Sequence, residues 1–317
     1  MGITRRNLLR GTAATLAVVG TGFSTQLLAG QKTVKIGLNI PMTGDYGPWG
    51  LPGFYGCKIV ANNINAAGGV EIGGETYLIE LVGFDHGYDT EKAIIGYKVL
   101  IGDDAAMIMM LGGATVGAIL GRAQHGKKMV TTLLPSDITP DTPNLVAPSE
   151  SHPLYNATGV EWLAENFSEA KTAVIVTTND IEYGQQSAAV YQAAFEVAGI
   201  DVLETHFHGF DVTDFNPIVQ RLLSNKPDIF CMATDVYTTP LVEALYNAGF
   251  QGKIISCTLD LYEGIIAKTS KEYVEGIIFQ FPDFDDPALL SEQVQFPDPK
   301  GFWDTFQRDH PGQWSAV

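Results

Sequence analysis

Two kinds of segment alternate along the chain from about residue 32 onward. Short runs such as residues 33–40, 76–85 and 105–113 are rich in apolar residues, which is typical of strands in a buried sheet. The intervening segments, such as residues 53–69 and 89–103, place apolar residues three and four positions apart, as an amphipathic helix does. Asp89 is predicted to cap the second of these helices. Regular alternation of strand and helix predicts parallel sheets with helices on both faces.

The alternation falls into two blocks joined by segments rich in proline and polar residues. We therefore predict an α/β fold of two doubly wound parallel-sheet lobes joined by a hinge, with lobe 1 at residues 32–150 and lobe 2 at residues 151–279. Residues 280–317 are expected to cross back to lobe 1.

The first thirty residues have a different composition. They carry three arginines, no acidic residue and a short apolar stretch, which is typical of an export signal peptide. Arg5 and Arg6 resemble the twin-arginine signal, and an ordinary Sec signal is the alternative. Gln31 stands where a lipidated cysteine would be needed, so we expect a soluble periplasmic protein.

The net charge of −17 argues against nucleic acid and anionic membranes as partners, because both need cationic surfaces. The sequence contains no dinucleotide or phosphate-loop fingerprint and no nucleophile motif, so we predict no cofactor, no catalytic residue and no enzymatic activity.

The cysteines and histidines also lack the spacing of a metal site. Cys231 and Cys257 lie in strand-like apolar runs and are predicted to be small buried residues. His206 and His208 have no third ligand nearby in sequence, so we predict exposed strand histidines and no metal.

Candidate binding residues follow the predicted strands, because ligands of parallel sheets lie beyond the carboxyl ends of the strands. In chain order these candidates are Tyr46, Trp49, Gly113, Ala114, Thr115, Ser136, Asp137, Tyr183, Asp235, Tyr237 and Asp260. The glycine turn at residues 112–115 offers backbone amides to a carboxylate, or is simply a tight strand-to-helix turn. Together the candidates suit a small ligand with an apolar part and charged ends.

Five stretches carry a family resemblance, in order between Val34 and Pro287: KIGLNIPMTGDYGPWG, INAAGGVEIGG, FDHGYDTEKA, NDIEYGQQ and FNPIVQRLLSNKPDIF. The chain resembles the periplasmic solute-binding proteins of branched-chain amino-acid ABC transporters, which have the type I periplasmic-binding fold. The resemblance implies two lobes that close on a leucine-like ligand. It also implies that the sequence is truncated, because the family continues for a further helix and strand.

The same resemblance assigns roles to the candidates. Trp49 and Tyr46 would flank the ligand, and the region of Ser136 would help the turn at residues 113–115 to hold its carboxylate. The family often has a serine where this chain has Gly113, so backbone amides and Thr115 would do more of this work. From lobe 2, the resemblance brings Tyr183, Tyr237 and an acid that pairs the ligand ammonium, which is Asp260 or Asp235.

The sequence favours a monomeric, non-enzymatic receptor that delivers a small solute to the permease subunits of an ABC transporter. The solute would be a branched-chain or other apolar amino acid, an amide or an aromatic acid. The alternative is an exported α/β enzyme acting on a small carboxylate. A ligand-sensing domain of a receptor would share the fold.

Overall fold

The computed structural model describes residues 32–126, 128–132, 137–147, 156–233, 236–257, 262–279 and 298–314. The predicted export signal at residues 1–30 lies outside these ranges. Within them, no helix has both the length and the apolar character needed to cross a membrane. The elements in chain order are β1 (Lys32–Ile40), α1 (Gly47–Ala66), β2 (Val70–Ile72), β3 (Glu75–Asp85), α2 (Thr90–Gly102), β4 (Met107–Met110), α3 (Gly113–Gly126), β5 (Met129–Thr131), β6 (Leu145–Val146), α4 (Asn156–Asn166), β7 (Thr172–Thr178), a π-helix π1 (Ile181–Gln185), α5 (Gln186–Ala198), β8 (Asp201–His208), α6 (Asn216–Leu223), β9 (Ile229–Met232), α7 (Thr238–Asn247), β10 (Lys253–Ser256), α8 (Tyr262–Lys268), α9 (Lys271–Glu275), β11 (Ile277–Ile278) and α10 (Pro299–Asp309).

The strands form two sheets, one in each half of the chain. The first has the order β2-β3-β1-β4-β5-β6 and the second the order β11-β10-β9-β7-β8. Among the described strand pairs, only β2 with β3 is antiparallel. The predicted α/β fold of two doubly wound lobes is therefore confirmed.

Helix α2 shows how local sequence fixes an element. The Asp89 side chain caps it by accepting a hydrogen bond from the backbone N–H of Lys92 at 2.8 Å, and Glu91 adds negative charge to the first turn. Tyr97 and Leu100 on its inner face pack into the lobe 1 core. The predicted Asp cap is confirmed.

The lobe 2 core encloses one strand that is buried along its whole length. All four residues of β9 are buried, since helices cover both faces of the sheet. Cys231 and Cys257 are buried thiols, as predicted, whereas Cys57 on α1 is half-buried. Burial raises the pKa of the Cys231 thiol well above its usual range, so this sulfur is an inert core group.

Helix α1 begins earlier than the sequence pattern predicts. We expected a loop up to about residue 52 and a helix from Gly53, but the helix begins at Gly47 and includes Trp49. Pro48 is tolerated because the first-turn amides of a helix have no intrahelical partner. Gly50 is required by close packing, since a Cβ there would overlap the carbonyl oxygen of Pro41 at the end of β1. Trp49 is thus held on a helix.

Helix α10 returns to lobe 1, where it packs against α1. The Tyr55 ring stacks on His310 with a centroid distance of 3.6 Å and meets Phe306 edge-on at 6.4 Å. Residues 280–297, the first part of the predicted crossover, lie outside the described ranges.

Candidate functional site

The topology of the first sheet creates a crevice at one edge. Strand β1 lies between β3 and β4 and pairs in parallel with both. From the carboxyl end of β1 the chain continues to β3 on one side, whereas from the carboxyl end of β4 it continues to β5 on the other side. These connections diverge and leave a crevice between them, which is where ligands bind in such folds. Three segments border it: residues 41–46 after β1, residues 86–89 after β3 and residues 111–113 after β4.

Three aromatic side chains meet at this crevice. The Tyr46 and Tyr88 rings stack with a centroid distance of 4.0 Å and an interplanar angle of 13°. The Trp49 ring is 6.0 Å from Tyr88 and 6.3 Å from Tyr46, tilted against both. All three residues are half-buried. We call this cluster of Tyr46, Trp49 and Tyr88 the ring wall.

The Asp85 carboxylate connects the two segments that carry the ring wall. Its Oδ1 accepts hydrogen bonds from the backbone N–H of Met42 at 2.7 Å and of Gly87 at 2.9 Å. Its Oδ2 accepts from the Thr43 hydroxyl at 2.5 Å. Burial pushes the pKa of Asp85 up, but the hydrogen bonds from Thr43, Met42 and Gly87 outweigh it, so the pKa is lowered and the group is a carboxylate at neutral pH.

His86 lies beneath the crevice and is fully buried. Its Nδ1 accepts a hydrogen bond from the Tyr88 backbone N–H at 2.9 Å, so the neutral ring carries its proton on Nε2. Burial lowers the pKa of His86 to about 4, against a smaller opposing effect of the Asn39 and Leu111 backbone. His86 is therefore neutral at pH 7 and supports the turn without adding charge.

The turn after β4 supplies backbone groups. Helix α3 begins at Gly113, so the amides of Gly113 and Ala114 lie in its first turn, where helix geometry leaves N–H groups without an intrahelical partner. Gly112 has a φ of 104°, and a Cβ there would lie 2.5 Å from Cε2 of Tyr88. The ring wall thus rests on the backbone of this turn.

Thr115 occupies a different environment from the one implied for it. Its side chain is fully buried, and its hydroxyl lies 2.9 Å from the carbonyl oxygens of both Leu111 and Gly112, to which it donates. The hydroxyl therefore braces the turn from within, and the backbone amides of the first turn remain as candidate donors to a ligand.

Asp137 is half-buried near the end of β5. Its Oδ2 accepts from the Thr132 hydroxyl at 2.6 Å, and its backbone carbonyl accepts from the Thr142 hydroxyl at 2.7 Å. These contacts tie Asp137 to its own lobe. Ser136 lies outside the described residues.

On lobe 2, Tyr183 lies in π1, directly after β7. Asp180 caps this π-helix by accepting from the Tyr183 N–H at 2.7 Å and from the Gly184 N–H at 3.3 Å. The Tyr183 hydroxyl is 3.7 Å from the Cys257 sulfur at the carboxyl end of β10. Helix α3 of lobe 1 contacts π1, so Tyr183 lies where the two lobes meet.

Tyr237 points into lobe 2 itself. Its hydroxyl donates to the Phe210 carbonyl at 2.7 Å, and its ring packs at 5.2 Å from His208 and 5.8 Å from Phe215. Asp235 and Asp260, the two acids expected near a ligand ammonium, lie outside the described residues.

The prediction of exposed strand histidines is wrong. His208 is buried because its ring packs against Phe215 and Tyr237, and burial lowers its pKa. His206 is half-buried, with its Nδ1 2.8 Å from an Arg221 guanidinium nitrogen. Among the described residues, no group of three or more potential metal ligands occurs.

The model of the periplasmic binding protein family matches residues 33–315. The chain belongs to this family. Solved structures agree in fold. A fatty acid ABC transporter substrate-binding protein from Thermomonospora curvata is 21% identical with a TM-score of 0.75, over 89% of this chain and 70% of that one. A leucine-binding protein from Thermotoga maritima is 20% identical with a TM-score of 0.70, over 90% and 78%. An ABC transporter solute-binding protein from R. palustris in complex with 4-hydroxybenzoate is 19% identical with a TM-score of 0.67, over 90% and 76%. No curated protein sequence is significantly similar to this chain.

This periplasmic binding protein has two residues at the crevice that sequence reasoning missed, Asp85 and Tyr88. Both lie in the stretch FDHGYDTEKA, which contains a signal, because Gly87 two residues after a strand indicates a sharp turn. Gly87 and Tyr88 have φ values of 52° and 66°, both left-handed, which is uncommon for a tyrosine. That conformation places the Tyr88 ring against Tyr46.

Proposed function

We propose that this protein is an extracytoplasmic receptor that captures a small amphiphilic monocarboxylate between its two lobes and delivers it to the permease of an ABC transporter. The observation that carries the proposal is the ring wall beside the first turn of α3. An apolar surface and the first-turn amides of a helix at one crevice match the two ends of such a solute.

The ring wall would hold the apolar part of the solute. A solute that covers these three half-buried rings removes apolar area from water, which stabilises the complex by about 25 cal/mol per Å². Stacked and tilted rings also favour a planar or branched partner over a hydrated one. Tyr46, Trp49 and Tyr88 are therefore proposed to contact the solute directly.

The first turn of α3 would hold the carboxylate. The amides of Gly113 and Ala114 and the positive end of the helix dipole favour one negative charge there. We propose that Thr115 shapes this turn and that Ser136 and Asp137 border it. The segments 41–50, 85–89, 111–116 and 179–186 contain no Lys or Arg, so a dicarboxylate or a phosphate would lack a cationic clamp.

Lobe 2 would close over the solute from the opposite side. Tyr183 lies at the junction of the lobes and next to Cys257, and Asp260 follows three residues after Cys257. We propose that Tyr183 contacts the solute and that Asp260, or Asp235, pairs an ammonium when the solute has one. Tyr237 would support this surface from within lobe 2. Only the closed state touches the solute from both lobes, so binding favours closure.

Relatives in fold indicate the range of solutes to test. Their names record a fatty acid transporter, a leucine-binding protein and a complex with 4-hydroxybenzoate. Each of these compounds is an amphiphilic carboxylate. We propose the same broad class of solute for this chain. We also propose that the receptor is a monomer and that its protein partners are the permease subunits of an ABC transporter.

The test is calorimetry on protein stripped of co-purified solute by unfolding and refolding. The probes are 4-hydroxybenzoate, L-leucine and octanoate, with succinate as a dicarboxylate control. We expect saturable binding of at least one monocarboxylate and no binding of succinate. At a free concentration of about one hundred times its Kd, the bound monocarboxylate should raise the free energy of unfolding by about 2.7 kcal/mol. Binding of succinate alone, or conversion of a probe detected by mass spectrometry, would refute the proposal.

A further inference from the structure

Asp85 lies at the last residue pair of the β1–β3 ladder. Ile40 is the final residue of β1 to pair with β3, and its partner is Asp85. The ladder ends at this pair. The hydrogen bond of 3.2 Å from the His86 N–H to the Ile40 carbonyl oxygen is the last backbone link between the two segments that the described residues contain. The segments that carry the ring wall therefore leave the sheet without a ladder to align them.

The Asp85 side chain replaces that missing ladder. It binds Met42 and Thr43 on the β1 side and Gly87 on the β3 side. Tyr46 follows three residues after Thr43, and Tyr88 follows directly after Gly87. One carboxylate thus fixes the distance between the two segments whose rings stack at 4.0 Å.

Such a restraint matters because each segment contains residues with left-handed backbone conformation. Tyr88 has a left-handed φ of 66°. This conformation costs energy for a non-glycine residue, and it persists only where the surrounding structure enforces it. On the other side, Gly44 has a φ of 73° and is exposed, with no atom within 4 Å of where its Cβ would lie. The Asp85 carboxylate is hydrogen-bonded to both segments at once.

We propose that Asp85 is a positioning residue for solute binding, which sets the spacing of Tyr46 and Tyr88 and thereby the shape of the ring wall. This inference rests on the proposed function for its effect on affinity. Its effect on the ring wall itself does not depend on any solute.

The chain contains a matched control at the opposite end of the other sheet. Asp228 also accepts three hydrogen bonds through its side chain, from the Lys171 N–H, the Thr172 N–H and the Thr172 hydroxyl, at 2.9–3.0 Å. It precedes β9, at the amino ends of the lobe 2 strands, away from the crevice. Asp228→Ala therefore removes a similar set of bonds without touching a ring.

The experiment compares Asp85→Ala, Asp85→Asn and Asp228→Ala in the full chain. Asparagine keeps an Oδ1 that can accept from Met42 and Gly87, so it preserves the spacing while it removes the charge. We expect Asp85→Ala to weaken binding of the best monocarboxylate probe at least about tenfold, Asp85→Asn to stay within about threefold, and Asp228→Ala to lose stability with unchanged affinity.

A second readout needs no solute. The Trp49 contribution to fluorescence is obtained by subtracting the spectrum of Trp49→Phe in each background. We expect Asp85→Ala to shift the emission maximum of this contribution and to speed amide hydrogen exchange at residues 43–49. Asp85→Asn and Asp228→Ala should leave both quantities near their wild-type values. If no probe binds wild type, the proposed function fails, yet this readout still tests Asp85.

Two results would overturn the inference. One is an unchanged Trp49 signal and unchanged exchange at residues 43–49 in Asp85→Ala. The other is an equal loss of affinity in Asp85→Ala and Asp228→Ala, because general destabilisation would then account for both.

Discussion

Gly112 lies against the Tyr88 ring, and the effect of replacing it with alanine can be worked out from its geometry. Its φ of 104° lies in a region that L-residues rarely adopt, which costs alanine about 1–3 kcal/mol. The new Cβ would also lie 2.5 Å from Cε2 of Tyr88, whereas non-bonded carbons prefer about 3.5–4.0 Å. The ring must therefore move by about 1 Å or more.

That movement breaks the stacking of Tyr88 on Tyr46, because the two rings are only 4.0 Å apart. An overpacked contact costs about 1–3 kcal/mol, so we expect Gly112→Ala to lower the free energy of unfolding by about 2–6 kcal/mol in total. We also expect the affinity for the best monocarboxylate to fall at least about tenfold, since the ring wall loses its shape.

The assay is denaturant unfolding together with calorimetric titration of the stripped protein. Gly117→Ala is the matched control, because Gly117 lies in the same helix, at an exposed position where an added methyl group would have no atom within 4 Å. There the substitution should stabilise the helix by about 0.5–1 kcal/mol, because alanine loses less backbone entropy than glycine.

A double variant separates the two costs of Gly112→Ala. In a Tyr88→Ala background the Cβ meets no ring, so only the cost of the backbone conformation should remain. The reasoning is refuted if Gly112→Ala is as stable as Gly117→Ala, or if its cost is the same with and without the Tyr88 ring.

The crevice and the residues beneath it give three further predictions. Trp49→Ala should weaken solute binding, measured by calorimetry, at least about tenfold, which is about 1.4 kcal/mol. The control Trp162→Ala removes an exposed indole on α4 and should leave the affinity unchanged. An unchanged affinity in Trp49→Ala would show that the Trp49 ring is not part of the site. Asp260→Asn should weaken binding of an amino acid more than of its deaminated analogue, and equal losses would exclude Asp260 as the ammonium partner. Because burial lowers the pKa of His86 from 6.5 to about 4, its neutral form contributes stability that is fully present above pH 6.5 and is lost as the pH falls toward 4, by up to about 3 kcal/mol. Other histidines shift in the same direction, so the pH dependence of unfolding should be shallower, but not flat, in His86→Asn; an identical slope would contradict the assignment.

Much of the fold could be predicted from the sequence because the responsible interactions are local. The apolar run at residues 33–40 forms β1, and the Asp89 cap starts α2, since strand patterning and capping are properties of neighbouring residues. The burial of Cys231 and Cys257 followed from their place in continuous apolar runs. Alternation of strand and helix was enough to predict two doubly wound lobes.

The start of α1 depended on a longer-range contact. Trp49 and its two flanking prolines have the local composition of a loop, so the pattern predicted a helix only from Gly53. The earlier start is possible because Gly50 lets the helix approach the Pro41 carbonyl. A close approach between two segments leaves no trace in hydrophobic periodicity.

The sequence by itself determined the two-lobed α/β architecture, the strand ends at which candidates cluster, and the presence of aromatic residues after β1. The tertiary structure alone decided that Asp85 joins Met42 to Gly87, that Tyr88 completes the ring wall, and that the hydroxyl of Thr115 faces inward. The Asp85 and Tyr88 contacts depend on the register of β1 against β3, which brings together residues more than forty positions apart. Local propensity records which residues can form an element, whereas only the packed sheet fixes which side chains meet beyond its edge.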